Sequence, residues 1–187
     1  MELNAPLLIC DIKETDLKGE QLNRLYTTSP LQCLNQAVQN LPGMILIYLP
    51  QESMQRRKDL LELCTVLKGN QFTKGIPIIA LMDSKNRTLL ESLKDAGVEY
   101  VRYETGSGPG IEDFKRFPYV SEEDRIENRL KELCHFLQYK PIDSTHEMTV
   151  CTAYYGIWAL GFRRLHAICE NEQHRECPYY KNPKFAE

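Results

Sequence analysis

The sequence predicts an α/β domain with a parallel sheet, followed by a small all-helical domain that is rich in cysteine. Two observations lead to this prediction. In residues 1–104, short apolar runs alternate with segments of helical periodicity, which is the pattern of strand–helix–strand units. In residues 121–187 the apolar residues recur at helical spacing alone, and four of the seven cysteines lie there. Residues 105–120 are rich in glycine and proline and are expected to link the two domains.

The predicted strands of the first domain are short runs rich in Ile and Leu, each bounded by Pro, Gly or Asp. They cover residues 6–12, 43–50 and 76–83, and residues 98–104 ("VEYVRYE") follow as a last strand. Continuous apolar runs of this length are typical of strands that are buried on both faces of a parallel sheet.

Two helices are predicted between these strands. Residues 55–69 end at Gly69 and carry apolar side chains at helical spacing, namely Leu60, Leu63, Cys64 and Leu67. Residues 84–97 repeat this pattern, with Ser84 as the expected N-cap and Gly97 as the end.

Three helices are predicted in the second domain. Ser121 and Asp124 resemble a capping box at the start of the first helix, and Pro141 marks its end. Its apolar stripe consists of Ile126, Leu130, Leu133, Cys134 and Leu137. The second helix is expected over residues 149–160 and the third over residues 162–171.

Composition and charge narrow the classes of function. A net charge of −3 gives no general reason to bind nucleic acid or an anionic membrane, and 26% charged residues are ordinary for a globular protein. The apolar runs are shorter than a signal peptide or a membrane span requires. We therefore expect a cytoplasmic protein whose partners include neither nucleic acid nor membrane.

Residues 5–104 resemble a response-regulator receiver domain, through the stretches "CLNQAVQNLPGMILIYLP" and "IPIIALMDSKNRTLLESLKDAGVEYVRYE". The resemblance implies a doubly wound, flavodoxin-like sheet of five parallel strands in the order 2-1-3-4-5, with residues 25–28 as the short second strand. It also implies a surface through which the domain binds a protein partner or a second copy of the chain.

The positions that would carry the family's phosphotransfer chemistry hold other residues. Tyr48 stands where the resemblance places the phosphoacceptor aspartate, Met82 where it places a hydroxyl residue, and Tyr103 near the expected lysine. Of the acidic residues that would bind Mg²⁺ only Asp11 remains, and a divalent ion needs several oxygen ligands at once. We therefore predict a non-catalytic pseudo-receiver domain that is not phosphorylated.

The cysteines of the second domain are the strongest candidates for a functional site. Cys10, Cys33 and Cys64 lie among apolar residues and are expected to be small buried hydrophobes. The other four are Cys134, Cys151, Cys169 and Cys177. In a reducing compartment such a group favours metal or redox chemistry over a disulfide framework.

An iron–sulfur cluster is the leading hypothesis for this group, with Cys134, Cys151, Cys169 and Cys177 as its ligands. Four thiolates can hold a [4Fe-4S] cluster, and a proline directly after a ligating cysteine, as in Cys177-Pro178, is a feature of ferredoxins. The cluster would stabilise a small domain or sense redox state or oxygen. An aromatic wall could shield it from water: Tyr154, Tyr155, Trp158, Phe162, Tyr179 and Tyr180.

Other interpretations of the same residues remain open. The spacing His-x2-Cys-x4-His-x2-Cys, formed by His166, Cys169, His174 and Cys177, suits a tetrahedral zinc site, which would make the protein a zinc-stabilised interaction module without a redox role. The four cysteines could instead bind no metal, as core residues or as a dithiol switch. A further hypothesis makes the cluster an electron carrier for a partner oxidoreductase. We predict no enzymatic activity of the chain itself.

Overall fold

The structure is a computed structural model that describes residues 5–10, 23–50, 53–103, 120–154 and 156–184. Asp11, Tyr155 and all of the predicted linker except Val120 lie outside these residues.

A five-stranded parallel sheet forms the first part of the molecule. Its strands are β1 (Leu7–Cys10), β2 (Arg24–Thr27), β3 (Met44–Leu49), β4 (Ile78–Met82) and β5 (Tyr100–Tyr103). They pair in the order β2-β1-β3-β4-β5, and every pairing is parallel. The predicted fold class of this part, a flavodoxin-like sheet with the order 2-1-3-4-5, is therefore confirmed.

Three helices alternate with these strands: α1 (Pro30–Asn40), α2 (Met54–Gly69) and α3 (Arg87–Asp95). Each begins at a residue whose side chain accepts a backbone N–H three positions on, which satisfies one of the free donors of the first turn. These caps are Ser29, Ser53 and Asn86. The expectation that Ser84 caps α3 is wrong, because Asn86 accepts the Leu89 N–H at 2.9 Å and the helix begins after it.

Both faces of the sheet are buried, as the continuous apolar runs predict. Alternate residues of β3 point to opposite sides, so that Ile45 and Ile47 join the core under the helices. Leu46 and Tyr48 join a second apolar cluster on the other face, together with Ile9, Met44, Ile79 and Leu81. Among the described residues, the helices contribute buried side chains to the cluster that contains Ile45 and Ile47, and none to the cluster that contains Leu46 and Tyr48.

The C-terminal unit, defined as the described residues of 120–184, contains helices and a small sheet. A 3₁₀ turn (Glu122–Asp124) and α4 (Ile126–Lys131) precede an antiparallel sheet of β6 (Leu137–Pro141), β7 (Glu147–Cys151) and β8 (Trp158–Ala159). After it come α5 (Phe162–Arg164), a π-helical turn (Leu165–Cys169), a second 3₁₀ turn (Glu172–Glu176) and α6 (Pro178–Lys181). The prediction that this unit is entirely helical is wrong.

The first two predicted helices of the unit fail for identifiable reasons. The first stops at Lys131, and the Cys134 N–H donates to the carbonyl of Cys169 at 2.8 Å instead of to its own helix. The second predicted helix, over residues 149–160, contains a strand, because β7 pairs with β6 through its whole length. The predicted helical stretch over 162–171 is present as α5 and the π-helical turn.

The C-terminal unit completes the core of the parallel sheet. Ile126 and Leu133 are buried in the same apolar cluster as the inward residues of β3 and β4. Asp124 adds a polar anchor, because its carboxylate accepts from Arg102 of β5 at 2.6 Å and lies 3.1 Å from Arg129. The two parts of the described chain are thus joined by shared apolar burial and by ion pairs.

No helix among the described residues is both long enough and apolar enough to cross a membrane.

Replacing Leu90 with Ala tests the core under α3. Leu90 is fully buried, and removing its side chain should lower the free energy of unfolding by about 2–5 kcal/mol through lost burial and the cavity left behind. Leu31→Ala in α1 is the control, since Leu31 is 69% exposed and should change the unfolding free energy by about 0.5 kcal/mol or less. Guanidinium denaturation measures both, and equal losses would contradict the described core.

Candidate functional site

The carboxyl edge of the parallel sheet is closed by a hydrogen bond between a tyrosine and an aspartate. Tyr48, near the end of β3, donates its hydroxyl to the Asp83 carboxylate, whose two oxygens lie 2.7 and 2.6 Å away. The Tyr48 side chain is buried, and Asp83 directly follows β4. Tyr48 thus brings a hydroxyl to the position where the resemblance to receiver domains places a phosphoacceptor carboxylate.

The neighbouring strands end in Met82 and Tyr103. Met82 at the end of β4 is buried. Tyr103 at the end of β5 lies between two cations, with Arg129 5.4 Å and Lys85 5.8 Å from the centre of its ring. Burial is the main cause of the raised pKa of the Tyr103 hydroxyl, and the negative charge of Glu132 raises it further. The predicted role of Asp11 falls outside the described residues.

The three cysteines of the first part are buried, as expected. Cys10 in β1, Cys33 in α1 and Cys64 in α2 are inaccessible to solvent. The pKa of the Cys33 thiol is raised, first by its hydrogen bond with the Cys10 thiol and then by burial. Burial likewise raises the pKa of Cys64 to about 12. Thiols held in the neutral form this firmly are poor nucleophiles.

The four cysteines of the C-terminal unit come from four different elements. Cys134 follows α4, Cys151 ends β7, Cys169 ends the π-helical turn and Cys177 precedes α6. The first three belong to or pack against one apolar cluster, whose other buried members are Phe136, Leu137, Ala153 and Leu165. The backbones of Cys134 and Cys169 are joined directly by the hydrogen bond at 2.8 Å.

Electrostatics show that these four thiols lie within reach of one another's charge. Burial raises the pKa of Cys169 to about 12, and the next causes are the negative charges that Cys134, Cys151 and Cys177 would carry. The pKa of Cys134 is raised in the same way, by burial first and then by Cys151 and Cys177. Cys134 and Cys169 are therefore influenced by other cysteines that lie up to 43 positions away along the chain.

Cys177 differs from the other cysteines in favouring the thiolate. Burial alone would raise its pKa, but the nearby backbone N–H groups of Tyr180 and Tyr179 stabilise the thiolate, and the pKa is lowered on balance. The Arg164 guanidinium contributes to the same lowering, with Nη2 3.5 Å from Sγ. Donors and a positive charge of this kind stabilise a bound or reactive thiolate.

The histidines of the alternative zinc set have other partners. His166 places Nδ1 2.5 Å from the Glu170 carboxylate. His174 is buried, with Nδ1 2.6 Å from the carbonyl of Asn171. Among the described residues, no three side chains of His, Cys, Asp or Glu are arranged to hold one metal ion. Zinc binding and cluster binding both stay predictions.

The predicted aromatic wall divides into separate groups. Tyr154, Trp158 and Tyr179 pack against one another, with ring centres 5.1 to 5.4 Å apart. Tyr180 instead contacts rings near Cys134, namely His135, Phe136 and His174. Phe162 is exposed beside His166, and Tyr155 lies outside the described residues.

The C-terminal unit contacts the loop between β4 and α3, which the sequence did not predict. Lys85 of this loop donates to the carbonyl of Glu170 at 2.9 Å, directly beside Cys169. Tyr139 donates its hydroxyl to the carbonyl of Lys85 at 2.7 Å and lies 2.9 Å from the Glu170 carboxylate. The segment that carries Cys169 is therefore tied to the carboxyl edge of the parallel sheet.

Glu147 of β7 makes a second connection between the two parts. Its carboxylate accepts from Arg57 of α2 at 2.9 Å and from the Asn86 amide at 3.3 Å. The Arg57 side chain is 7% exposed and that of Glu147 21%. The sequence alone could not predict the pairing of Arg57 with Glu147, because no local pattern shows that α2 faces β7.

Among solved structures, the chain is similar to that of a bacteriophytochrome response regulator, AtBRR, at 18% identity and a TM-score of 0.42, over 60% of this chain and 88% of that one. No protein-family model and no curated protein matches the chain. The fold class rests on the strand order itself.

Replacing Glu147 with Gln tests the docking of the C-terminal unit. The change leaves the Arg57 guanidinium buried without its counter-charge, and we expect the free energy of unfolding to fall by about 1–3 kcal/mol. Glu172→Gln is the matched control, because Glu172 is 72% exposed, its pairing with Arg175 is 3.6 Å long, and such pairs contribute about 0.5 kcal/mol or less. Guanidinium denaturation of both variants measures the difference, and equal effects would contradict the docking contact.

Replacing Arg164 with Gln tests the electrostatics at Cys177 in metal-free protein. The loss of a positive donor should raise the pKa of the Cys177 thiol, so the thiolate fraction and the rate of alkylation at neutral pH should fall by about threefold or more. Mass spectrometry after a timed iodoacetamide pulse reads the rate at each cysteine. Arg163→Gln should leave the Cys177 rate unchanged; a loss as large as that of Arg164→Gln would refute the specific contact.

Proposed function

We propose that the chain is a non-catalytic signalling or regulatory protein in which a four-cysteine group, holding an iron–sulfur cluster, controls a receiver-like domain. The observation that carries the proposal is the meeting of Cys134, Cys151, Cys169 and Cys177 within one small unit that docks on the loop after β4. The receiver-like domain would present the surface for a protein partner or for a second copy of the chain.

The donor set fits a cluster in its chemistry. A cube of iron and sulfide separates its ligand sulfurs more widely than one tetrahedral ion does, so the thiols must surround a common space without touching one another. The influence of the other three thiols on Cys169, and the absence of a disulfide among these four described cysteines, support this proposal. Burial raises the pKa of Cys134 and Cys169, so both thiols are protonated at neutral pH. Cluster binding would release these protons.

Other groups of the chain would support the bound state. The N–H groups of Tyr179 and Tyr180 and the Arg164 guanidinium point at the Cys177 sulfur, and donors to ligand sulfurs tune cluster potentials. The ring cluster of Tyr154, Trp158 and Tyr179 supplies apolar surface that limits access of water. When bound, the group supplies one-electron chemistry and sensitivity to oxygen.

Coupling to the receiver-like domain would run through the segment after Cys169. Any change in the position of Cys169 acts on Glu170, which is held by Lys85 and Tyr139. Lys85 lies in the loop between β4 and α3, two residues beyond the Asp83 carboxylate that Tyr48 engages. Loss or oxidation of the group would therefore reach the carboxyl edge of the sheet through direct contacts. The Tyr48 hydroxyl at the phosphoacceptor position argues against phosphorylation as the input.

Anaerobic purification with iron and sulfide analysis, followed by absorption and electron paramagnetic resonance spectroscopy, tests the cluster. We expect brown protein with a broad band near about 400 nm that bleaches in air, and about four irons for each chain. Cys177→Ala should abolish the band, whereas Cys33→Ala, a change of the same residue type in the buried core of the first part, should retain it.

Colourless protein would overturn the cluster proposal. One zinc for each chain, lost in His174→Ala but retained in Cys134→Ala, would then favour the zinc-stabilised interaction module. Metal-free protein whose Cys177 forms a disulfide on mild oxidation would favour the dithiol switch. Rapid electron transfer to a purified oxidoreductase, with no change in the loop after β4 by hydrogen exchange, would favour an electron carrier.

A further inference from the structure

A cavity of about 470 Å³ lies between the parallel-sheet part and the C-terminal unit, and its walls are mostly basic. Four of its lining residues are permanent cations: Arg87, Lys94, Lys131 and Arg175. Glu127 is the one carboxylate in the lining that the structure describes. Clefts of this volume are typical of sites for small organic ligands.

We propose that this cavity binds a small polyanion that carries two or more phosphate groups. The site is distinct from the cysteine group, and its ligand would be a second input to the protein. Cations from α3, from α4 and from the second 3₁₀ turn face one space, which neither part of the chain forms alone.

The charge balance favours a ligand with more than one negative charge. Lys94 is exposed and has no ion-pair or hydrogen-bond partner among the described residues. Lys131 donates only to the neutral side-chain oxygen of Asn128, at 3.1 Å. Among the described residues neither lysine has a carboxylate within ion-pair distance, and Glu127 is the one lining carboxylate, so the two lysines leave positive charge that a polyanion can neutralise.

The two arginines of the lining already have hydrogen-bond or ion-pair partners within the protein. Arg87 Nη1 donates to two backbone carbonyls, and Nε lies 2.8 Å from the Glu91 carboxylate. Arg175 is paired with Glu172 at 3.6 Å, on the exposed surface. Arg87 is therefore fixed in place with its charge paired by Glu91, whereas the two lysines are free to contact phosphate oxygens directly.

Three rings also line the cavity. His135 and Tyr180 have ring centres 4.8 Å apart, and His174 packs against Tyr180 at 5.0 Å. These rings could contact the organic part of a phosphorylated ligand, while the lysines engage its phosphates. A nucleotide combines both parts, and tripolyphosphate carries the phosphates alone.

Isothermal titration calorimetry of the full chain with tripolyphosphate and with ATP, at constant ionic strength, tests the site. We expect saturable binding of one molecule for each chain. Tighter binding of ATP assigns a contribution to the three rings, and equal affinity assigns the recognition to phosphate groups.

Charge reversal separates this cavity from general attraction to basic surface. The double variant K94E/K131E changes two exposed side chains and should weaken binding by about tenfold or more. Lys58→Glu, an exposed lysine of α2 outside the cavity, should change affinity by about twofold or less at physiological salt. Circular dichroism melting checks that the variants fold.

The proposal is overturned if neither probe shows saturable binding, or if Lys58→Glu weakens binding as much as the double variant does. Both outcomes are independent of metal content, so they do not depend on whether the cysteine group holds a cluster.

Discussion

The arrangement of the C-terminal unit depends on how α4 ends, and Arg87 sets that end. Its guanidinium donates to the carbonyl of Leu130, in the last turn of α4, at 3.1 Å and to that of Leu133, just beyond the helix, at 3.0 Å. The chain then turns, and Cys134 bonds to the backbone of Cys169. Because the helix stops there, the following residues are free to form β6. One side chain of the first part thereby contacts the segment in which the second part passes from helix to strand.

The parallel sheet was predictable because its signals are local. Continuous apolar runs of strand length, separated by helical stripes with polar caps, allow few other architectures. The N-cap of α3 was not predictable, since Ser84 and Asn86 are both good caps. Only the structure shows that Asp83 and Lys85 are engaged in contacts with Tyr48 and with the C-terminal unit. Local preference was overruled by tertiary contacts.

The C-terminal sheet was missed because apolar spacing is ambiguous in short segments. Leu133, Cys134 and Leu137 fit a helical stripe, yet they are also buried by a turn that leads into a strand. A signal did exist in β7, where Thr149 and Val150 are adjacent β-branched residues, a type enriched in strands. The burial of Cys134 and Cys169 could be anticipated from their apolar neighbours, whereas the identity of a bound group could not, since thiols serve several metals.

The burial of Ile126 and Leu133 beneath the parallel sheet bears on how the chain folds during its synthesis. Residues up to Tyr103 contain all five parallel strands, yet their core lacks these two side chains. At translation rates of about 5–20 residues per second, Leu133 follows Tyr103 by roughly 2 to 6 seconds. During that interval the nascent sheet exposes an apolar patch beside α3, which is the kind of surface that chaperones recognise and that misfolding exploits.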